Sequence, residues 1–221
     1  MPLLLKVHRQ LMKTPLRRLV DRNLAHPKGL WGRYVAAVMN RVNIGITEFA
    51  LKELGIQPGE QVLEVAFGGG VSFGLVMQKI GTGTLHGLDM SPDMLRSAEK
   101  SHASLVASGR LDLKLGDVGK MPFADGQMDG AFAVNAIYFW KDPLLALGEL
   151  KRVLKPGGRL VLGLRSLAFS EANRYPKDIF RFYEEPELRS LMESAGFREI
   201  RISKTLLGKV ETLAVSGTKG A

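Results

Sequence analysis

The chain has 221 residues, of which 45% are hydrophobic and 24% charged, and it carries a net charge of +9. That composition is globular and sized for one domain, or one domain with an appended lid; it excludes wholesale disorder, collagen and coiled coil. Cysteine is absent, which excludes thiolate nucleophiles, disulfides, iron–sulfur clusters and cysteine-ligated zinc.

The charge is concentrated at one end. Residues 1–33 hold Lys6, Arg9, Lys13, Arg17, Arg18, Arg22, Lys28 and Arg33 against Asp21 alone, a balance of +7. The same stretch carries Leu3, Leu4, Leu5, Val7, Leu11, Met12, Leu16 and Leu19. Basic amphipathic segments of this kind lie on anionic bilayer surfaces. The alternative is that the apolar residues pack on the body and the arginines are simply solvated. No apolar run reaches the ~18–20 residues of a membrane span. Met1–Leu11 is too short and wrongly ordered for a signal peptide, and the first serine is Ser72, against a serine-rich transit peptide. The expected location is cytoplasmic, with a peripheral membrane contact through the arm.

Thr14-Pro15 reads as an N-cap followed by proline at the first helical position. His26-Pro27-Lys28-Gly29 breaks the pattern, and a longer helix is predicted over Leu30–Leu54, closed by Gly55 and Pro58-Gly59. These elements form an expected helical arm or lid, residues 1–55, ahead of a main domain, residues 56–221. From Gln61 onward the chain alternates. Strands are predicted over Val62–Ala66, Thr84–Asp89, Leu111–Leu115, Met128–Val134, Arg159–Leu164, Arg198–Ser203 and Val210–Ser216. Helices are predicted over Val71–Ile80, Pro92–Ala107, Pro143–Leu154 and Pro186–Ala195. Strand and helix in alternation mean an α/β fold with a mostly parallel sheet of right-handed crossovers. Only Lys204 to Lys209 separate the last two strands, too few for a crossover, so those two form an antiparallel hairpin.

Three strand ends carry chemistry. The first reads Val62-Leu63-Glu64-Val65-Ala66-Phe67-Gly68-Gly69-Gly70. Glycines between a buried strand and a helix let the backbone approach a ligand closely. Gly68 and Gly70 supply two glycines of the dinucleotide fingerprint, but its third position is Phe73, so a nicotinamide or flavin enzyme is disfavoured. At the second strand end, Asp89 can accept both hydroxyls of a ribose, and Met90 offers a polarisable face for a purine. At the third, Asp117 can accept from an exocyclic amine while the N–H of Val118 reaches a ring nitrogen. Together they describe a nucleoside cradle without a phosphate clamp. The plain alternatives are an exposed strand residue for Glu64, a helix cap for Asp89 and a turn residue for Asp117.

With those residues in order, the chain from about Gln57 to Val161 resembles a class I S-adenosylmethionine-dependent methyltransferase. The branch it is similar to is the small-molecule one that includes the ubiquinone and menaquinone-biosynthesis methyltransferases. The family's acidic-x-Gly-x-Gly-x-Gly motif stands here as Glu64-x-Ala66-x-Gly68-x-Gly70, with Ala66 departing from glycine. The stretches Met121–Asp129 and Arg152–Leu160 are also typical of this branch. The resemblance implies a Rossmann-like, seven-stranded, mostly parallel sheet with a C-terminal antiparallel hairpin, helices on both faces and an N-terminal helical lid. It implies S-adenosyl-L-methionine as cofactor, Asp89 as the ribose-binding acid, Met90 on adenine and Asp117-Val118 on its edge.

After the fourth strand comes Asn135-Ala136-Ile137-Tyr138-Phe139-Trp140. It shares an asparagine and an aromatic with the Asn-Pro-Pro-Tyr signature of amino-methyltransferases acting on nucleic acid, but neither proline. Asn135 and Ala136 are therefore read as the methionine-side wall and Tyr138 as a pocket aromatic. The expected reaction is methyl transfer by in-line displacement to a small, hydrophobic organic acceptor, on oxygen, carbon or nitrogen. No residue announces itself as a general base; the candidates are His26, Tyr138, Tyr175, Glu184 and Glu185. No histidine pair has metal-ligand spacing, so no metal is expected. The acceptor pocket is expected between the strand ends, the arm and the aromatic segment Leu167–Glu185. Two other readings stay open: a nucleic-acid methyltransferase, which the confinement of basicity to one arm disfavours, and a non-methylating binding or cyclisation protein on the same scaffold.

Overall fold

A computed structural model describes residues 43–172 and 175–220. The helical turns over 43–54 form α1. They are followed by β1 (Gln61–Val65), α2 (Phe73–Ile80), β2 (Thr84–Asp89), α3 (Pro92–Ser101), α4 (Ala103–Ala107), β3 (Leu111–Leu115) and β4 (Met128–Val134). A 3₁₀ turn at Ile137–Phe139 leads to α5 (Pro143–Val153), β5 (Leu154–Arg165), α6 (Leu167–Ala172), α7 (Glu185–Ser194), β6 (Phe197–Leu207) and β7 (Val210–Lys219). The strands form one sheet in the order β3-β2-β1-β4-β5-β7-β6. The pairs from β3 through β5 are parallel, and β7 runs antiparallel to both neighbours. The mostly parallel sheet and its terminal hairpin are as the sequence predicts.

Side-chain alternation sends each strand into two cores. On one face Leu63 and Val65 of β1 join Leu160, Leu162 and Leu164 of β5, Leu147 and Leu150 of α5, and Met192 of α7. On the other, Val62 and Val161 meet Ala50, Leu51 and Leu54 of α1 and Phe73 and Val76 of α2. A sheet covered on both faces is what parallel strands require, and it explains their near-continuous apolar runs. Truncating a residue such as Leu63, fully buried, to alanine costs about 2–5 kcal/mol. The edge opposite the site is fastened by Arg159. Its Nε donates to the Leu54 carbonyl at 2.8 Å and its Nη2 to both Glu60 oxygens at 2.6 and 2.7 Å. That guanidinium ties the end of α1 and the residue before β1 to the middle of β5.

Proline and a preceding cap set the helix starts. Ser91 caps α3, its Oγ accepting from the Met94 N–H at 3.4 Å. Asp142 caps α5, accepting from Leu144 and Leu145. Glu184 and Glu187 form a reciprocal capping box at α7.

Three boundaries differ from expectation. The helix predicted over Pro92–Ala107 breaks at His102, whose backbone leaves helical geometry while its ring packs edge-on against Phe73 at 5.1 Å. β5 starts earlier than expected: Met128 pairs with Leu154 and Gly130 with Arg159, so Lys155–Gly158 loops out as a wide bulge, with Gly157 at φ +74°. The last hairpin turns on two residues, Gly208 and Lys209, rather than six. Gly208 at φ +68° supplies the left-handed conformation the tight turn needs. Among the described residues no helix is long and apolar enough to cross a membrane.

Candidate functional site

The carboxyl ends of β1, β2, β3, β4 and β5 lie along one edge of the sheet, where open parallel α/β sheets place their ligand crevice. The loop after β1 is held close to β2. The Ala66 N–H donates to the Leu88 carbonyl at 2.7 Å, and the Gly68 N–H donates to Oδ2 of Asp89 at 2.8 Å. The other oxygen of Asp89 accepts from the Ser91 N–H at 2.9 Å. Asp89 is 7% exposed. Burial pushes its pKa up, opposed by the backbone donors of Ser91, Gly68 and Met90. The cap of α3 is Ser91, so Asp89 is not spent on capping.

Glu64 lies below the same loop at 6% exposure. Ser72 donates its hydroxyl to Oε2 of Glu64. Burial pushes the Glu64 carboxyl up to about 8, the Ser72 hydrogen bond opposing and the Asp89 charge adding to the rise. Two buried carboxyls beneath a loop of sequence Ala66-Phe67-Gly68-Gly69-Gly70-Val71-Ser72, which holds no lysine or arginine, make a site without a cationic clamp for phosphate and with acceptors for a hydroxyl-bearing ligand. Gly68, at φ +55°, has no atom within 4 Å of where a Cβ would stand, whereas a Cβ on Gly70 would meet the Phe73 ring at 2.6 Å. The open approach is therefore at Gly68, while Gly70 is needed for packing against Phe73. Ala66 adopts φ +60°, a conformation that costs an alanine about 1–2 kcal/mol.

Met90 is 53% exposed beside Asp89. Asp117 is exposed and folds into a turn: its Oδ1 accepts from the Gly119 N–H at 2.7 Å and its carbonyl from the Lys120 N–H at 3.0 Å. The turn reading of Asp117 thus has a real basis, and Val118 beside it packs against the core. Asn135 ends β4 at φ +52°, a conformation asparagine tolerates. Its Nδ2 donates to Oδ1 of Asn43 at 2.9 Å, linking β4 to α1. Ala136 is buried next to it.

Tyr138 is buried, and its hydroxyl accepts from the Arg165 N–H at 2.6 Å while lying 3.1 Å from the Arg165 carbonyl and 3.3 Å from Oδ1 of Asn135. Burial drives its ionisation above the ordinary tyrosine range. That geometry clips β5 to the 3₁₀ turn through Tyr138, the residue the sequence also offers as a proton acceptor. Tyr175 lies in the aromatic segment after α6, with ring centroids of Phe180 and Phe182 at 4.9 and 5.8 Å. Glu184 and Glu185 are at the start of α7, one in the capping box and the other paired with Lys204. His26 and the basic arm, residues 1–33, lie outside the described residues. His86 sits between Asp112 at 3.0 Å and Gln61 at 2.9 Å, a structural role within the strands. Sequence reading passed over Ser72, which sits where an N-cap would stand, and Arg165, which looks like any strand terminus.

Residues 63–162 match the family described as Methyltransferase domain. The chain is 28% identical over 198 residues to the ubiquinone/menaquinone biosynthesis C-methyltransferase UbiE of Geobacter sp., covering 77% of this chain and 83% of that one. It is 27% identical over 170 residues to the O-methyltransferase resE of Aspergillus sclerotiorum, covering 71% and 63%. These matches support a class I S-adenosylmethionine-dependent methyltransferase. The crystal structure of a SAM-dependent methyltransferase from Aquifex aeolicus superposes on this chain with a TM-score of 0.62 at 24% identity, over 78% of this chain and 89% of that one, a likeness of fold. Three of the curated relatives it matches are longer; it spans 32%, 63% and 58% of their lengths. The cofactor of the family is S-adenosylmethionine, and the relatives include both carbon and oxygen methylators.

Proposed function

We propose that this chain transfers a methyl group from S-adenosylmethionine to a small, hydrophobic organic acceptor. The observation that carries the reading is the pair Glu64 and Asp89, both buried, beneath a glycine loop that is open at Gly68. When bound, the cofactor supplies an activated methyl on a sulfonium, open to in-line displacement. The donor set fits it. Asp89 would hold the ribose hydroxyls, Met90 would lie on the adenine, and Asp117 with Val118 would read its amino edge. Glu64, Ala66, Gly68 and Asn135 would surround the methionine half, where the buried carboxyl of Glu64 complements positive charge, and Gly70 would shape the loop there through its packing on Phe73.

The chain's own contribution is positional. The Asn135–Asn43 and Tyr138–Arg165 hydrogen bonds fix the ends of β4 and β5 relative to α1, and an acceptor held there is aligned and screened from water. Orientation of this kind contributes about 7–11 kcal/mol to suitable reactions. The acceptor's apolar character is carried by the rings of Phe169, Tyr175, Phe180 and Phe182 after β5. The basic arm adds a second element to the proposal: residues 1–33 hold the protein against an anionic membrane surface, a reading carried by their composition alone.

Calorimetry with purified protein tests the core of the reading. S-adenosylhomocysteine is expected to bind in the low-micromolar range, about −8 kcal/mol, and NAD not at all. Tighter binding of NAD overturns it. Product screening by mass spectrometry for a gain of one methylene then identifies the acceptor, with labelled methyl transfer separating an enzyme from a non-methylating scaffold. For the arm, salt-sensitive binding to anionic vesicles is expected for the full chain and is lost on removal of residues 1–29.

A further inference from the structure

Asp89 and Glu64 are both buried beneath the glycine loop, but they use their oxygens differently. Both oxygens of Asp89 accept from backbone N–H groups, Oδ1 from Ser91 and Oδ2 from Gly68. Only one oxygen of Glu64 is held: Oε2 accepts from the Ser72 hydroxyl. Oε1 has no hydrogen-bond partner among the described residues, yet it is not sealed in. Among those residues the fully enclosed side-chain polar atom without a partner is the Tyr183 hydroxyl. A carboxyl that is only 6% exposed therefore turns its free oxygen to solvent, at the end of β1 where the loop is open at Gly68.

The surroundings of Glu64 supply no cation. In register it lies beside Gly87 of β2 and Phe132 of β4. Alternation puts its side chain on the Val62 face, beneath α1 and α2. There α1 turns Ile46, Thr47, Ala50, Leu51 and Leu54 inward, none of them titratable. The start of α2 brings Ser72. His102, on the same face, packs against the Phe73 ring. Among the described residues the charged group that acts on Glu64 is Asp89, of like sign. A buried carboxyl with one neutral donor and an acid for a neighbour keeps its proton at neutral pH. Here it does so to about 8, with the Ser72 hydrogen bond pulling the other way.

We infer that Ser72 is a positioning residue of the cofactor site: by pinning Oε2 of Glu64 it turns Oε1 toward the crevice, where the carboxyl exchanges its proton for the ammonium group of the cofactor's methionine half. The O–H bond of Glu64 breaks, its electron pair stays on the carboxylate, and the proton leaves to solvent. The ammonium then balances the charge. Ser72 favours the exchange because a hydroxyl donates more strongly to a carboxylate than to a neutral carboxyl. The inference rests on the methyltransferase reading above and deepens it by giving the cofactor site a proton and a residue that governs it. A Ser72 that only satisfied a buried carboxyl would do so equally with and without cofactor, and no proton would move.

The test titrates the full chain with S-adenosylhomocysteine by calorimetry at about pH 6.5, where an α-amine is already charged. Two buffers of different ionisation enthalpy are used, and the difference in heat counts protons. The native protein is expected to release about one proton per ligand bound, and Glu64→Gln about none. The probe 5′-methylthioadenosine, which lacks the amino-acid half, is expected to bind the native protein without proton release. Ser72→Ala raises the pH at which Glu64 ionises, so S-adenosylhomocysteine binding is expected to weaken about tenfold at about pH 6.5 and only about twofold at about pH 9. Titration of the ligand's own amine cancels in that comparison. Should Ser72→Ala fail to fold, Ser72→Cys, which keeps the shape but weakens the donor, is read in the same way. No proton release by the native protein, a release that survives Glu64→Gln or accompanies 5′-methylthioadenosine, or a Ser72 variant whose loss is the same at both pH values overturns the inference while leaving the methyltransferase reading intact. Failure of the native protein to bind S-adenosylhomocysteine overturns both.

Discussion

Ser72 occupies the N-cap position of α2, yet its hydroxyl does not cap the helix; it turns inward and donates to the buried carboxyl of Glu64. A helix start has given up its side-chain cap, at a cost of about 1 kcal/mol, to serve an acid under the glycine loop. The exchange satisfies a buried carboxyl that would otherwise lack a partner from its own strand.

Glu64 makes the free protein sensitive to pH. Its carboxyl is raised by burial from 4.5 to about 8, so between those values the folded chain holds a proton that the unfolded chain has released. The slope of stability with pH is then negative: the contribution is intact below about pH 4.5, declines through the window and is fully lost above about pH 8. Glu64→Gln, which cannot ionise, is expected to be less stable or equal near pH 5 and more stable than the native protein by a few kcal/mol above pH 8. Thermal melts of both proteins across that range check it. The same variant is expected to bind S-adenosylmethionine at least tenfold more weakly, the mark of a site that gives up stability for a cationic ligand.

Asp89→Ala removes a charged acceptor from the proposed ribose site and is expected to weaken S-adenosylhomocysteine binding by about 2–3 kcal/mol. The structure adds a second effect that sequence alone does not suggest. The N–H groups of Gly68 and Ser91 lose their acceptor together, so unfolding free energy is expected to fall by about 1–3 kcal/mol as well. Isothermal titration and urea unfolding on the same preparation separate the two. An unchanged dissociation constant beside a lowered urea midpoint assigns Asp89 to the loop alone.

The central strands were legible because a sheet covered on both faces demands largely apolar segments such as Ala131–Val134, and the outer ones because β3 and β6 alternate apolar with polar residues. The three strand-end acids were legible because strand polarity and the α/β rule place them on one edge. The couplings between elements were not. That Gly68 lends its N–H to Asp89, or that Tyr138 clips Arg165, depends on loop conformations that no periodicity encodes. The bulge at Lys155–Gly158 reads as a turn from its composition, and only the pairing of Leu154 with Met128 shows that the strand runs through it. The aromatic segment after β5 was legible as aromatic but not as a wall, since which rings meet depends on the path of the chain between α6 and α7.

Ala66 stands at φ +60° where the family motif has glycine. No ligand contact is needed to see the consequence. Ala66→Gly removes a left-handed alanine, and although glycine gains entropy in the unfolded chain, relief of strain wins where φ is positive. Stability is expected to rise by about 1 kcal/mol, read as an increase in the urea midpoint with an unchanged slope. A fall in the midpoint shows that the loop strain is borne elsewhere.

The two glycines of the loop are expected to fail differently. Both have positive φ, so alanine at either carries the left-handed penalty of about 1–2 kcal/mol. At Gly68 the new methyl meets no protein atom within 4 Å, so the fold loses only that strain, while the methyl stands on the side left open for a ligand. At Gly70 the methyl falls 2.6 Å from the Phe73 ring, and Phe73 is fully buried against Phe67 and His102, so it has little room to retreat. Overpacking of this kind adds about 1–3 kcal/mol. Gly68→Ala is therefore expected to remain within about 2 kcal/mol of native stability and to lose affinity for S-adenosylhomocysteine by at least tenfold. Gly70→Ala is expected to lose roughly 2–5 kcal/mol of stability, with any loss of affinity following from the fold. Denaturant unfolding and cofactor titration on both variants distinguish the roles. If Gly70→Ala is as stable as Gly68→Ala while losing more affinity, the ligand approaches at Gly70 and the assignment of the open face to Gly68 is reversed.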